Sequence, residues 1–251
     1  MKLTFLGTGT STGNPQLLCS CAVCASKDPK DNRLRASVYI EAEDTSILVD
    51  CGPDFRQQAL REHIRQIDAL LITHEHYDHV GGMDDLRPYC SYKEIPVYAS
   101  ERVLDKIKVI MPYSFADNPY PGVPLFNVKP LTLKPFAVGH LKVIPIELMH
   151  YRLPVLGFRI GEMAYLTDFN HIEPSEIDKL YNLKVLVVDA LRPAKHISHN
   201  TLQQALDLIE AVKPERSYLI HMSHDMGFHE EVNPILPEGV ELAYDGLIVE
   251  I

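Results

Sequence analysis

Apolar and polar positions along the chain predict paired strands first, and strands that alternate with helices later. Lys2–Leu6 alternates and opens the chain as a strand, and Ser37–Glu41 with Ser46–Asp50 is typical of a hairpin. The other predicted strands are Ile67–Ile72, Pro96–Ala99, Lys142–Met149, Val155–Ile160, Met163–Leu166, Val185–Asp189, Arg216–His221 and Glu241–Ile251.

Helical spacing appears in three segments. Phe55–Ile64 follows Asp54, a suitable N-cap, and a second helix is expected near Glu101–Ile110. A stripe of aliphatic residues from Leu202 to Val212 stops at Pro214. The pattern therefore predicts an α/β protein, with two sheets sandwiched between helices in a single domain spanning residues 1–251.

Composition narrows the class of protein. The chain has 251 residues, is 46% hydrophobic, and carries a formal charge of −10. It has no apolar run near the roughly 20 residues needed to cross a bilayer. Its first residues contain too short an apolar stretch for a signal peptide, so a cytoplasmic location is the default expectation. The acidic charge disfavours a long nucleic-acid partner, but bound cations would still allow a small anionic substrate.

A dense group of histidines follows the predicted strand that ends at Ile72. The segment His74-Glu-His76-Tyr-Asp78-His79 places three imidazoles and a carboxylate within six residues. In an extended turn His74 and His76 project to the same side and can share one ion, while Asp78 and His79 point to a second position. Such nitrogen and oxygen ligands suit Zn²⁺, Mn²⁺ or Fe²⁺. The segment therefore predicts a divalent metal site.

This segment resembles the His-x-His-x-Asp-His motif of the metallo-β-lactamase superfamily. The resemblance covers essentially the whole chain and implies a four-layer αββα sandwich of two mixed β-sheets flanked by helices. It further implies that His150 is the third histidine of the first metal, Asp168 the bridging carboxylate and His221 the last ligand of the second metal. Asp50, in Leu48-Val-Asp50-Cys-Gly52, matches the acid that orients a ligand imidazole.

Three cysteines, Cys19, Cys21 and Cys24, form a second candidate site. A closed zinc site needs four ligands, and His224, three residues after His221, is an attractive fourth. Three reduced core thiols or an iron–sulfur cluster are the competing interpretations. The Cys-x-Cys-x-x-Cys loop together with the late histidine pair resembles the PhnP-type cyclic phosphodiesterases of phosphonate breakdown. That resemblance implies a structural zinc held by Cys19, Cys21, Cys24 and His224.

Two divalent ions in such a site can bridge a hydroxide and clamp a phosphoryl oxygen, with Asp78 and Asp168 as the carboxylates that hold the pair. His199, before the helix that starts near Leu202, resembles the histidine that serves as general acid in the cyclic phosphodiesterases. It is equally typical of a surface histidine whose pKa is lowered by the helix N-terminus. Arg192 and Lys195 lie just upstream and are candidates to contact phosphate, or solvated charges.

The resemblance implies a hydrolase of small phosphodiesters, cyclic ones above all, with two Mn or Zn ions in the active site and one structural Zn. A tRNA-processing nuclease is a competing hypothesis, although only 18 positions (168 − 150) separate His150 from Asp168, where such nucleases carry a tRNA-binding arm. A pyrroloquinoline-quinone B-like protein, a metal-held scaffold without catalysis, and a hydrolase of acyl substrates also remain open. A homodimer is left open as well.

Overall fold

The structure, a computed structural model, describes residues 1–91 and 93–251. Its first sheet is mixed, since β1 pairs antiparallel with its neighbours and the later strands run parallel. The strands of this sheet are β1 (Lys2–Gly7), β2 (Ser37–Ala42), β3 (Thr45–Val49), β4 (Ala69–Leu71), β5 (Ile95–Ser100), β6 (Phe126–Leu131) and β15 (Ile248–Glu250). Their order across the sheet is β15-β1-β2-β3-β4-β5-β6.

The second sheet is also mixed. Its strands are β7 (Phe136–Val138), β8 (Leu141–His150), β9 (Leu153–Ile160), β10 (Met163–Leu166), β11 (His171–Ile172), β12 (Val185–Asp189), β13 (Arg216–Ile220) and β14 (Val240–Leu242). They are arranged in the order β11-β8-β9-β10-β12-β13-β14, with β7 paired to β8. Strands β10, β12, β13 and β14 are parallel, which brings their carboxyl ends to one edge.

Helices cover the outer face of each sheet. They are α1 (Phe55–Arg61), α2 (Tyr77–Val80), α3 (Glu101–Ile110), α4 (Pro174–Ile177), α5 (Leu202–Val212) and α6 (His229–Val232). Apolar side chains of β4 and β5 form one core with α3, and those of β12 form another with α5. A third core lies between the sheets, where the rings of Phe5 and Tyr218 have centroids 5.4 Å apart. The predicted four-layer αββα sandwich is confirmed.

Two helix predictions have different outcomes. The helix predicted from Leu202 to Val212 is present, begins with a capping box between Thr201 and Gln204, and ends where Lys213 adopts a left-handed backbone. The helix predicted at Phe55–Ile64 ends at Arg61, and Asp54 does not cap it. Instead, the Asp54 carboxylate accepts hydrogen bonds from the backbone and guanidinium of Arg35.

Several strand predictions need correction. The predicted strand Glu241–Ile251 is two short strands, β14 and β15, which belong to different sheets. They are separated by a turn at Gly246, whose φ is +89°. The strand predicted at Ile67–Ile72 is only Ala69–Leu71, and β6, β7 and β11 were not predicted. Among the described residues, no helix is both long enough and apolar enough to span a membrane.

Candidate metal centre

The candidate ligands lie where buried strands end. The histidine segment follows β4, His150 is the last residue of β8, and His221 directly follows β13. Asp168 comes two residues after β10, with a φ of 53°, and His221 has a φ of 58°. Left-handed backbone at non-glycine residues costs free energy and is concentrated at functional sites. The ends of strands from both sheets therefore meet in one cleft.

The first group of side chains consists of His74, His76 and His150. The ring centroid of His74 lies 4.5 Å from that of His76 and 5.8 Å from that of His150, and His76 lies 5.2 Å from His150. His74 is fully buried, whereas His76 is exposed at the mouth of the cleft. The structure thus brings together the three histidines that the sequence assigned to one ion.

The second group consists of Asp78, His79 and His221, with Asp168 between the two groups. Ligand atoms of these four residues all lie within 4.8 Å of one another. Asp168 Oδ1 is 3.3 Å from His79 Nε2 and 3.2 Å from His221 Nε2, while its Oδ2 is 3.9 Å from His74 Nε2. One carboxylate therefore faces both histidine groups, as a bridging ligand must.

Hydrogen bonds fix which nitrogen of each imidazole is free. His79 Nδ1 contacts Asp50 Oδ2 at 2.7 Å, and His150 Nδ1 donates to the Ser198 carbonyl at 2.9 Å. The Thr73 hydroxyl donates to Asp50, so Thr73 Oγ1 accepts from His74 Nδ1. Each Nδ1 is then engaged, which leaves Nε2 as the atom that a metal would bind.

Carboxylate oxygens face the free nitrogens of His79 and His221 at 3.2–3.3 Å but do not form hydrogen bonds with them. His74 Nε2, His79 Nε2 and His221 Nε2 are buried without a hydrogen bond among the described residues. A buried polar atom without a partner is costly, and a bound cation would remove that cost. The donor set of imidazole nitrogens and carboxylates also suits divalent transition metals. The residues present therefore fit an ion held by Asp78, His79, Asp168 and His221, with the other three histidines grouped beside it.

Electrostatics in the cleft favour a cation. Burial would raise the pKa of Asp168, but the nearby imidazoles of His221, His79 and His74 hold that pKa well below its usual range. Burial lowers the pKa of His74 and of His150, so both rings are neutral and able to act as ligands. Around His79, the carboxylates of Asp168, Asp78 and Asp50 raise its pKa despite burial. Such a concentration of carboxylates stabilises positive charge, whether a proton or a metal ion.

Two buried aspartates lie behind the ligands. Asp50 follows β3, where it accepts hydrogen bonds from Thr73 and contacts His79. Asp189, the last residue of β12, has Oδ2 at 3.3 Å from His199 Nδ1 and Oδ1 at 3.7 Å from His221 Nδ1. Sequence reasoning missed Asp189. Its only signal in the sequence was a carboxylate at the end of the apolar run Val185–Val188.

His199 lies inside the cleft and is only 8% exposed. Its ring centroid is 4.6 Å from that of His150 and 4.7 Å from that of His221. Burial lowers the pKa of His199, but Asp189, Asp168 and Asp78 together raise it to about 9. The ring is buried, unlike the surface histidine considered as the alternative, and Asp189 is the carboxylate nearest to it.

The three cysteines and His224 form a compact group at the surface. Their ligand atoms all lie within 4.8 Å of one another, with Cys24 Sγ 3.1 Å from His224 Nδ1. Zinc bond lengths of about 2.0–2.3 Å place tetrahedral ligand atoms about 3.5–3.8 Å apart, which this group accommodates. The backbone N–H of Cys24 donates to Cys21 Sγ and lowers the pKa of the Cys21 thiol. Cys51 and Cys90 are separate buried thiols.

The remaining residues singled out from the sequence have minor or open roles. Arg192 pairs with Asp225 at 3.1 Å, and Tyr77 is exposed. The glycine loop after β1 contacts the segment beside His221, because Thr10 N donates to the Met222 carbonyl. A cavity of about 1000 Å³ lies between α1 and residues 84–89, and none of the candidate ligands is among its described lining residues.

Comparisons with known proteins identify the family. A sequence model described as the beta-lactamase superfamily domain matches residues 45–222, which include every candidate ligand of the cleft. The chain belongs to the metallo-β-lactamase superfamily. This membership places the chain among metal-dependent hydrolases. A crystal structure of a diphosphatase from the PhnP family superimposes with a TM-score of 0.93 and 39% identity, covering 100% of this chain and 97% of that one.

Curated relatives in the superfamily carry different names. An octanoyltransferase of Porphyromonas gingivalis is 48% identical over 252 residues, which cover 98% of this chain and 51% of that protein. A ribonuclease Z of Rippkaea orientalis is 30% identical over 171 residues, covering 64% of this chain and 48% of that protein. The chain thus spans about half the length of these two curated relatives.

The Asp189 carboxylate offers a test of the residues behind the ligands. We expect Asp189→Asn to lower metal affinity or turnover by about 10- to 100-fold, as is usual when a group that orients a metal ligand is replaced. Metal titration and steady-state kinetics would measure this. Asp178→Asn, an exposed aspartate at the start of a 3₁₀ turn, is the control. Equal behaviour of the two variants would contradict a positioning role for Asp189.

Proposed function

We propose that this chain is a metal-dependent phosphodiesterase that hydrolyses small phosphodiesters, cyclic ones included. The observation that carries the proposal is the set of free Nε2 atoms around Asp168, with His199 beside them in the same cleft. Support also comes from the similarity to a diphosphatase of the PhnP family over the whole length of both chains. The native ions, in this proposal, are Mn or Zn.

In the proposed mechanism seven side chains would hold two divalent ions. His74, His76 and His150 would hold one, Asp78, His79 and His221 would hold the other, and Asp168 would serve both. When bound, such a pair activates water near neutral pH and stabilises charge on phosphoryl oxygens. Asp50 orients His79, since its carboxylate accepts from Nδ1.

His199 supplies the proton for the leaving oxygen. Its Nδ1 is directed at Asp189, which keeps Nε2 directed into the cleft at 4.0 Å from Asp168 Oδ2. The Asp189 carboxylate beside Nδ1 favours the protonated ring, and a protonated Nε2 can donate to an alkoxide as it departs. The leaving oxygen then departs as an alcohol rather than as a strongly basic anion.

The cysteine group is proposed to hold a structural zinc. His224 Nε2 lies 3.4 Å from Asp225 Oδ1, which leaves Nδ1 for the ion together with the three thiolates. The loop that carries the cysteines is tied to the rest of the protein through Asn14, whose backbone N–H and carbonyl pair with the backbone of Arg33. Zinc would therefore connect this loop to the segment that follows His221.

Replacement of Cys21 tests the structural zinc. With the active site loaded with Mn²⁺, we expect Cys21→Ser to contain one fewer zinc per chain by elemental analysis. Because bound zinc stabilises the folded state by about 2.7 kcal/mol at a free concentration of about 100 Kd, its melting temperature should also fall. Cys90→Ala, at a buried thiol outside the group, should keep its zinc. Unchanged zinc content in Cys21→Ser would defeat this assignment.

A second candidate is hydrolysis of acyl esters or thioesters. The observation in its favour is the 48% identity to one half of a protein named octanoyltransferase. The same cleft could act on an acyl carbon, since metal ions polarise carbonyl as well as phosphoryl oxygens. The phosphodiester proposal is preferred because the similarity to the PhnP-family diphosphatase covers both chains almost in full.

A substrate panel separates the candidates. The Mn²⁺-loaded protein would be assayed with bis(p-nitrophenyl) phosphate, 2′,3′-cyclic nucleotides, a cyclic ribose phosphate, octanoyl thioesters, a precursor tRNA and a β-lactam. We expect turnover of the small phosphodiesters and little of the others. Turnover of acyl substrates alone would overturn the proposal, and cleavage of the tRNA alone would favour the nuclease.

A further inference from the structure

A cavity of about 420 Å³ opens beside the candidate metal centre. His76 and His150 lie at its inner end. The turn between β8 and β9 forms one wall, and the loop before α5 forms the other. The residues of these walls are Tyr151, Arg152, Leu153, Ile197 and Ser198, which we call the mouth wall. Cavities that hold small ligands measure about 300–1,000 Å³, so this one suits a single small group.

Hydrogen bonds hold the two sides of the mouth wall in place. The side chain of Asn170 accepts from the Tyr151 N–H at 3.0 Å and donates to the Ile197 carbonyl at 2.8 Å. His150 Nδ1 donates to the Ser198 carbonyl, which adds a second link. Tyr151 has a φ of 57°, a strained conformation for a residue with a side chain. The wall is therefore preorganised, and its position is tied to a candidate ligand.

The chemistry of the mouth wall is aromatic, apolar and cationic. Tyr151 is 49% exposed and Ile197 is 66% exposed, so two large apolar side chains face solvent beside the site. The Arg152 guanidinium lies over the Tyr151 ring, 5.1 Å from its centroid. Within residues 1–91 and 93–251, the arginines that pair with a carboxylate are Arg35, Arg61, Arg87, Arg102 and Arg192, so the Arg152 guanidinium is not neutralised by one. The Tyr151 ring suits a planar group of a ligand, and the Arg152 guanidinium beside it suits an anionic group attached to that planar group.

We propose that the mouth wall binds a nucleobase carried by the phosphodiester substrate, with the base stacked on Tyr151 and Arg152 placed for a phosphate oxygen. This inference rests on the proposed phosphodiesterase activity and names its substrate class as nucleoside phosphodiesters. Stacking on a tyrosine ring stabilises any of the bases. The mouth wall therefore favours substrates that carry a base but does not distinguish one base from another. The cavity is too small for a polynucleotide, in keeping with the acidic charge of the chain.

A matched pair of substrates tests the proposal. Adenosine 2′,3′-cyclic phosphate and the 2′,3′-cyclic phosphate of methyl riboside differ in the presence of the base. We expect Tyr151→Ala to raise KM about tenfold more for the adenosine substrate than for the methyl riboside. Tyr151→Phe keeps the aromatic ring, so the difference in KM between the two substrates should be much smaller than in Tyr151→Ala. Tyr181→Ala, at an exposed tyrosine just before β12, serves as control. Equal changes for both substrates would overturn the proposal.

Fluorescence gives a readout that does not depend on turnover. The chain contains no tryptophan, so Tyr151→Trp places a single reporter in the mouth wall. Titration with adenosine monophosphate should quench it, whereas Tyr181→Trp should not respond. Quenching of the Trp fluorescence without turnover of either cyclic phosphate would contradict the proposed function but support the base site. No quenching, or an effect of Tyr151→Ala on octanoyl thioester hydrolysis alone, would overturn the base site.

Discussion

Replacement of Asp168 by Asn should reduce kcat/KM by at least about a thousandfold, because metal ions typically supply several kcal/mol of stabilisation to the transition state. The Asp168 side chain faces both histidine groups, with Oδ1 near His79 and His221 and Oδ2 near His74. An amide of the same shape keeps one oxygen but removes the charge. Both candidate ions would then lose their shared ligand.

The measurements are steady-state kinetics on bis(p-nitrophenyl) phosphate and metal content by elemental analysis. We expect at least one active-site ion per chain to be lost in Asp168→Asn, while the zinc of the cysteine group stays. Asp207→Asn, on the exposed face of α5, is the control for the loss of a carboxylate elsewhere. Full activity of Asp168→Asn with both ions bound would show that Asp168 is not a bridging ligand.

The fold could be predicted where burial sets a clear period. The stripe from Leu202 to Val212 packs against the second sheet, and the run Val185–Asp189 is buried on both faces, so both were recognised from apolar spacing. The last strands could not be separated in the same way. Val240–Leu242 and Ile248–Glu250 belong to different sheets, and nothing local in Glu241–Ile251 marks the change of sheet.

Edge strands were missed for a related reason. Phe126–Leu131 contains Lys129 and Pro130 and is only partly buried, so its sequence lacks both an apolar run and a clean alternation. It joins the first sheet by pairing with β5, a contact between positions about 30 residues apart. Such pairing is a tertiary effect that local propensity does not encode.

The candidate site was more predictable than the fold around it, since metal ligands are chemically unusual residues at strand ends. His74 to His79 could be recognised alone, whereas Asp168 and His221 required the family resemblance. Asp189 was missed because an aspartate at a strand end is ordinary until His199 is seen 3.3 Å away.

His199 is expected to matter most when the leaving group is poor. We predict that His199→Gln lowers kcat by about 10²- to 10⁴-fold for a 2′,3′-cyclic phosphate, whose leaving group is an alkoxide. The loss should be much smaller for bis(p-nitrophenyl) phosphate, because p-nitrophenolate is stable without a proton. A proton donor therefore produces a loss that depends on the leaving group, which a metal ligand does not.

That dependence decides between two roles that the geometry allows. Ligand atoms of His150, Asp168 and His199 also lie within 4.8 Å of one another, so His199 could bind metal instead of donating a proton. In that case His199→Gln would lose metal and slow both substrates equally. His196→Gln is the matched control, since its ring lies 5.1 Å from that of His199 but outside the candidate ligand groups. Retained metal with a selective loss on the cyclic phosphate would assign His199 as the general acid.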